Sequence, residues 1–236
     1  MTLITRNSWV FSVLLASCLS FSLTRPTLSG ERIRWTPSSD RGSVNSTLSG
    51  GRRGTTVVSC SMDNNPTQLA LMVPGDQSRL FTTHSTPTLA WHITTDKPVS
   101  MALHISDPEI ANPIYTQTVD IDKTAILSVT LPKDNSLTTD KQYRWTVFVS
   151  CPGEHSTEIS ARSFVEYINR ESLGVDNLPS LEQASTYANQ GIWYDAIAAL
   201  LTARRQGATD AESMVQTLLE QGQSPAEITP ATVVHL

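Results

Sequence analysis

The chain has 236 residues, a formal charge of −5 and 39% apolar residues. That is enough core-forming material to exclude whole-chain disorder, and the acidity excludes a nucleic-acid binder that uses its whole surface. Three cysteines exclude a dense disulfide scaffold and a four-thiolate zinc site.

Residues 1–23 read as a secretory signal. They carry one charge, Arg6, then an apolar run from Trp9 through Leu23 that is too short and too interrupted by serine for a secure membrane span. Leu15-Ala16-Ser17-Cys18 is similar to a lipoprotein cleavage box, which makes Cys18 a candidate for lipidation. Ser20-Phe21-Ser22 offers small residues for ordinary signal peptidase instead. A lipid at Cys18 would be the one contact with a membrane. Either cleavage leaves Cys60 and Cys151. In an exported protein an even pair reads as a disulfide, and in a reducing compartment as two buried thiols.

Residues 24–56 are rich in Ser, Gly, Thr, Pro and Arg, and read as a linker. They hold six arginines against Glu31 and Asp40, a net +4, whereas residues 57–168 and 169–236 each carry −5. A basic arm therefore precedes an acidic body. Such an arm is a solvated linker or a tether to anionic lipid or a partner.

Residues 57–170 alternate in short apolar bursts of period two. These predict strands over 68–74, 88–94, 99–106, 114–121, 125–131, 143–151 and 159–168. Seven strands at this spacing predict an antiparallel β-sandwich of the immunoglobulin or fibronectin type III kind. Leu137 lies six residues before Tyr143, which is the spacing of a tyrosine corner, in which the hydroxyl bonds back to the preceding turn. His92 and His104 are expected to face outward on neighbouring strands.

Residues 171–236 read as helical, so the fold class is mainly β with α. Ser180-Leu181-Glu182-Gln183 predicts a capping box and a helix ending near Gly191. A second helix runs from Ile192 to about Arg205, and Gly207 stops it. Thr209-Asp210-Ala211-Glu212 predicts a third, with Met214, Val215, Leu218 and Leu219 on one face, ending at Gly222. Ser224-Pro225 is read as opening one last turn. Ala184, Tyr187, Gly191, Ala196, Leu200 and Ala203 follow the small-and-large spacing of a single tetratricopeptide repeat. One hairpin cannot bury its outer face alone. Trp193, Tyr194 and Asp195 are therefore the candidate interaction surface, docking on the sandwich or on a partner.

Several segments together resemble the cyanobacterial domain-of-unknown-function family nine-two-eight. They are Gly50-Gly51-Arg52-Arg53-Gly54 before Cys60; Leu69 to Pro74; Pro87-Thr88-Leu89-Ala90-Trp91; Leu131-Pro132; Tyr143-Arg144-Trp145 before Cys151; and Tyr187-Ala188-Asn189-Gln190-Gly191-Ile192-Trp193-Tyr194-Asp195-Ala196. The resemblance spans about residues 50–205. It implies export, paired cysteines and the two-part build, and it supplies no catalytic residue.

Catalytic motifs are absent from the sequence: it has no G-x-S-x-G elbow, P-loop, dinucleotide fingerprint, H-E-x-x-H or calcium loop. No cofactor and no metal is expected. Two classes of function remain: a non-catalytic exported module that binds an envelope protein, and an envelope hydrolase or carbohydrate-handling enzyme whose site carries no familiar motif.

Overall fold

The computed structural model describes residues 33–37, 57–60, 67–75, 79–151, 157–170, 173–224, 226 and 232–236. The signal segment 1–23, Cys18 and most of the 24–56 linker lie outside these residues.

The first sheet contains β1 (Val58–Ser59), β2 (Gln68–Leu71), β4 (Thr88–Thr94), β7 (Ala125–Thr130) and β10 (Thr232–His235), side by side in that order. The second contains β3 (Phe81–Thr82), β9 (Glu158–Tyr167), β8 (Gln142–Ser150), β5 (Val99–Ser106) and β6 (Tyr115–Ile121). The helices are α1 (Ser180–Asn189), α2 (Trp193–Arg205) and α3 (Ala211–Gln221). Among the described residues the protein is mainly β, with two sheets and three helices.

All seven predicted strands are present. The sheets are mixed rather than antiparallel, because β10 runs parallel to β7 and β3 parallel to β9. Both exceptions are short edge strands, and β10 returns the last residues of the expected helical segment to a sheet.

Burial differs between the sheets. Along β5, side chains alternate buried and half-buried, the pattern of a strand with one covered face. Along β4, five successive residues are buried, because α2 packs on this strand. His92 is therefore buried, contrary to the outward position expected of it, while His104 stays half-exposed and packs on Phe148 at 4.9 Å. The two histidines lie on different sheets. Among the described residues no group of three potential ligands converges on a metal position.

A disulfide joins Cys60, just after β1, to Cys151, just after β8. It ties one sheet to the other across 91 residues of sequence, with Cα atoms 5.7 Å apart. The Tyr143 hydroxyl accepts the Thr138 backbone N–H at 3.2 Å, the backward bond expected from its spacing.

Each helix ends in a Schellman pair of hydrogen bonds. Ile192 N–H reaches Tyr187 O, Ala208 N–H reaches Ala203 O, and Ser224 N–H reaches Leu219 O. The first two put a glycine in the left-handed position, Gly191 at φ 73° and Gly207 at φ 81°. The third puts Gln223 there, at φ 51°. Helix α3 ends at Gly222 as expected, but the left-handed residue is the next one and the glycine itself is right-handed. A Cβ on Gly222 would lie 2.7 Å from Cη2 of the buried Trp193 indole, so glycine is there to let the ring in.

The predicted capping boxes do not form. Pro179 occupies the N-cap of α1, and the Ser180 hydroxyl turns to the Gln206 side chain at 3.1 Å. Asp210 caps α3 without a side-chain bond, after a turn closed by Ala211 N–H to Ala208 O. Of the final predicted turn, Ser224 and Ala226 are described, linked by Ala226 N–H to the Ser224 hydroxyl.

Candidate functional site

Helix α2 begins with Trp193, Tyr194 and Asp195. Successive residues on a helix point about 100° apart, so three in a row fan out over more than half the circumference. Here the three address three different parts of the β structure.

The Trp193 indole N–H donates to Met72 O at 2.8 Å, just beyond β2 in the first sheet. The Tyr194 hydroxyl accepts the Trp145 indole N–H at 2.8 Å and donates to Phe164 O at 2.6 Å, on β8 and β9 of the second sheet. Burial pushes this hydroxyl well above the ordinary phenol range. The Asp195 carboxylate receives the Thr82 hydroxyl at 2.6 Å, the Thr83 N–H at 2.7 Å and the Thr83 hydroxyl at 2.5 Å, at the end of β3.

All three side chains are buried, at 0%, 2% and 4% exposure. The expected interaction surface is thus corrected. These residues dock the helices onto the chain's own sheets and offer no face to a partner. The docking alternative is the arrangement present.

His84 adds a polar feature that sequence reading missed. Its Nδ1 lies 3.2 Å from Asp195 Oδ2, while the ring remains 59% exposed. The hydrogen bond to Asp195 raises the His84 pKa against the opposing effect of burial. Tyr187 packs beside it with ring centroids 6.4 Å apart, and burial raises that phenol. A buried carboxylate orienting an exposed imidazole can hold or transfer a proton. Both neighbouring threonine hydroxyls donate to Asp195, so neither is activated by His84. Thr82 ends and Thr83 follows a two-residue strand, β3, too short to show a period.

The second missed feature lies in the expected linker. Ile33 is 1% exposed and Trp35 8%, and both belong to the core. Arg34 between them is exposed, so the segment is extended with alternate side chains turned inward. Trp35 meets Trp193 edge to face at 4.8 Å between centroids. The only sequence signal was two bulky apolar residues at i and i+2 in a polar stretch.

With α2 committed to the sheets, α1 and α3 form the walls of a groove of about 1080 Å³. Ile33 is among its lining residues. Leu178, Leu181 and Met214 supply apolar surface, and Ser185, Asn189 and Thr217 supply uncharged polar groups. Glu182 and Asp210 also line it, and among the described residues no lysine, arginine or histidine does. Among the described residues no helix is long and apolar enough to cross a membrane.

No curated protein matches the chain. Among the solved structures that align, two illustrate how weak the likeness is. The periplasmic chaperone SfaE aligns at 15% identity and a TM-score of 0.30, covering 44% of this chain and 58% of that one. A family 76 glycoside hydrolase from a bovine Bacteroides thetaiotaomicron strain aligns at 10% identity and a TM-score of 0.26, covering 70% and 42%. The chain thus spans less than two thirds of the length of either, and likeness at this level carries no argument about fold or activity. The model of the Domain of Unknown Function family (DUF928) matches residues 48–230, including the disulfide, both sheets except β10 and the Trp193-Tyr194-Asp195 anchor, and the chain belongs to that family.

Proposed function

We propose that this protein is a non-catalytic, exported interaction module that binds an extended segment of an envelope protein along the groove between α1 and α3. The observation that carries this reading is that a short extended segment, Ile33–Pro37, lies against the groove: Ile33 lines it, and the segment's backbone is hydrogen-bonded to the Gln221 side chain and to Ala188 O near the C-terminal ends of α3 and α1. A groove of this size with mixed apolar and polar walls suits a peptide better than a flat surface would.

Export is part of the proposal. It is supported by the signal-like residues 1–23 and by the Cys60–Cys151 disulfide, a bond characteristic of oxidising compartments. Lipidation at Cys18 is the proposed means of retention at a membrane. The β portion is proposed to be a fibronectin type III-like sandwich, supported by the Tyr143 hydroxyl bond. The α1–α2 hairpin is proposed to be tetratricopeptide-like, with α3 in the place of the next repeat.

The test places a photo-reactive residue at Thr217, inside the groove, and another at the exposed Asp122 after β6, in the full chain in its native envelope. The reading expects protein adducts from Thr217 that a Ser185→Trp substitution removes while the melting temperature holds. Equal adducts from both positions, or adducts indifferent to Ser185→Trp, would refute it.

The alternative, an envelope hydrolase or carbohydrate-handling enzyme, draws on the His84–Asp195 pair. It requires a nucleophile or water poised by His84. Loss of a measured hydrolytic activity in His84→Gln, with stability retained, would favour it.

A further inference from the structure

The seat of Ile33–Pro37 reads the chain in two ways. Gln221 clamps the backbone: its side-chain carbonyl accepts Trp35 N–H at 2.5 Å and its amide donates to Ile33 O at 2.9 Å. Thr36 N–H donates to Ala188 O at 3.1 Å. Gln221 and Ala188 lie near the C-terminal ends of α3 and α1. These contacts fix an extended backbone of any sequence. Selectivity comes from the buried Ile33 side chain and from the Trp35–Trp193 edge contact.

None of these contacts depends on the segment belonging to the same chain. Residues 38–57, between the seated segment and β1, number 20. Their fully extended reach is about 65 Å, at roughly 3.3–3.6 Å per residue. A body of this length is about 40 Å across, from the usual scaling of radius of gyration. The segment therefore has the reach to enter a neighbouring molecule. Charge favours the approach: the arm at 24–56 carries +4, and residues 57–236 carry −10.

We infer that the seat formed by Gln221, Ala188 and Trp193, beside the groove, is a receptor for Ile33–Pro37 of a second copy as well as for the chain's own, so that the protein self-associates by exchanging this segment. The inference rests on the groove being a binding site for extended chain, as proposed above. Within one chain the tether gives an effective concentration in the millimolar range, so exchange belongs to high local concentration. An exchanged segment and an external partner's segment would then compete for adjoining stretches of one groove.

The test uses the full chain, as an equal mixture of nitrogen-15-labelled and unlabelled protein, with a photo-reactive residue replacing the exposed Thr36. Expected are covalent dimers joining position 36 of one isotope to the region of Ala188 or Gln221 of the other. Their share should rise with protein concentration and vanish with Trp35→Ala. Adducts confined to a single chain at every concentration would overturn the inference. A synthetic peptide spanning Arg32–Pro37 with the same photo-reactive residue is added in excess to the parent chain. Peptide captured at the groove without mixed-isotope dimers overturns the exchange and leaves the groove reading standing. Capture of neither overturns both.

Discussion

The Tyr194 hydroxyl is the most economical place to test whether α2 is an anchor. Tyr194→Phe removes one oxygen and leaves the ring, so no cavity larger than that atom appears. The oxygen accepts Trp145 N–H and donates to Phe164 O in a fully buried setting. Without it, the Trp145 indole N–H is left in the core, a loss of about 1–3 kcal/mol. Losing the bond to the Phe164 carbonyl adds about 1 kcal/mol. The sum is about 2–4 kcal/mol. For a domain of this size that corresponds to a melting temperature lower by about 5–15 °C. Urea unfolding followed by tryptophan fluorescence measures it, and the m-value should hold. The double substitution Trp145→Phe with Tyr194→Phe should cost less than the sum of the singles, because it leaves no orphaned donor. A Tyr194→Phe protein within about 0.5 kcal/mol of the parent would refute the reasoning, since surface changes have that effect.

Other substitutions address the remaining contacts. Gly222→Ala should lose about 1–3 kcal/mol by driving a methyl into the Trp193 ring, whereas Gln223→Gly should gain about 0.5–1 kcal/mol by relieving a left-handed residue; equal responses at the two positions would mean that the roles are misassigned. Trp35→Ala should cost about 3 kcal/mol, where a true linker residue would cost nothing measurable. Alkylation without reductant should label neither Cys60 nor Cys151, and replacing both with serine should cost about 4–5 kcal/mol for a 91-residue loop. The pKa of His84 is raised on folding, so its stabilisation is full below the unfolded value of about 6.5 and is lost as pH rises through the higher folded value. The stability difference between the parent and His84→Gln should shrink across that window, and a difference that widened toward alkaline pH would reverse the assignment.

The strands were legible wherever they were long enough to show a period. β4 and β5 match their predicted limits residue for residue, because alternation over seven or eight positions is a strong signal. β1 and β3 have two residues each and no period to read. β10 lies beyond three helices, where nothing local announces that the chain returns to an edge. Alternation also presumes one covered face. That holds for β5 and fails for β4, and so it placed His104 correctly and His92 wrongly. At Gly222 the local signal was correct in kind and wrong in cause: glycine near a helix end suggests a left-handed cap, and only the packed Trp193 ring reveals a close approach. The Asp195 cluster joins residues 112 and 113 positions apart, a juxtaposition no spacing rule reaches.

The burial of Trp193-Tyr194-Asp195, which the sequence left open between the sandwich and a partner, has a general physical basis. Three large or charged residues in a row at a helix start cannot share one buried stripe, since they diverge by about 100° per step. On a free hairpin at least one must face water, which is why both the sandwich and a partner remained as surfaces to cover them. They are all buried because the first turn of α2 enters a three-sided corner, with Met72 on one side, Trp145 and Phe164 on another, and Thr82 and Thr83 on the third. The polar atom of each anchor finds its partner there, so the burial leaves no unsatisfied group among the three. An anchor of this kind fixes both the axis and the rotation of α2. Rotating the helix by one residue would send the carboxylate toward Trp145 and the indole toward the threonines, unpairing all three at once. The position of α1 and α3 follows from α2, and with it the groove between them. The same tripeptide that offers no surface of its own therefore sets the geometry of the surface the protein does present.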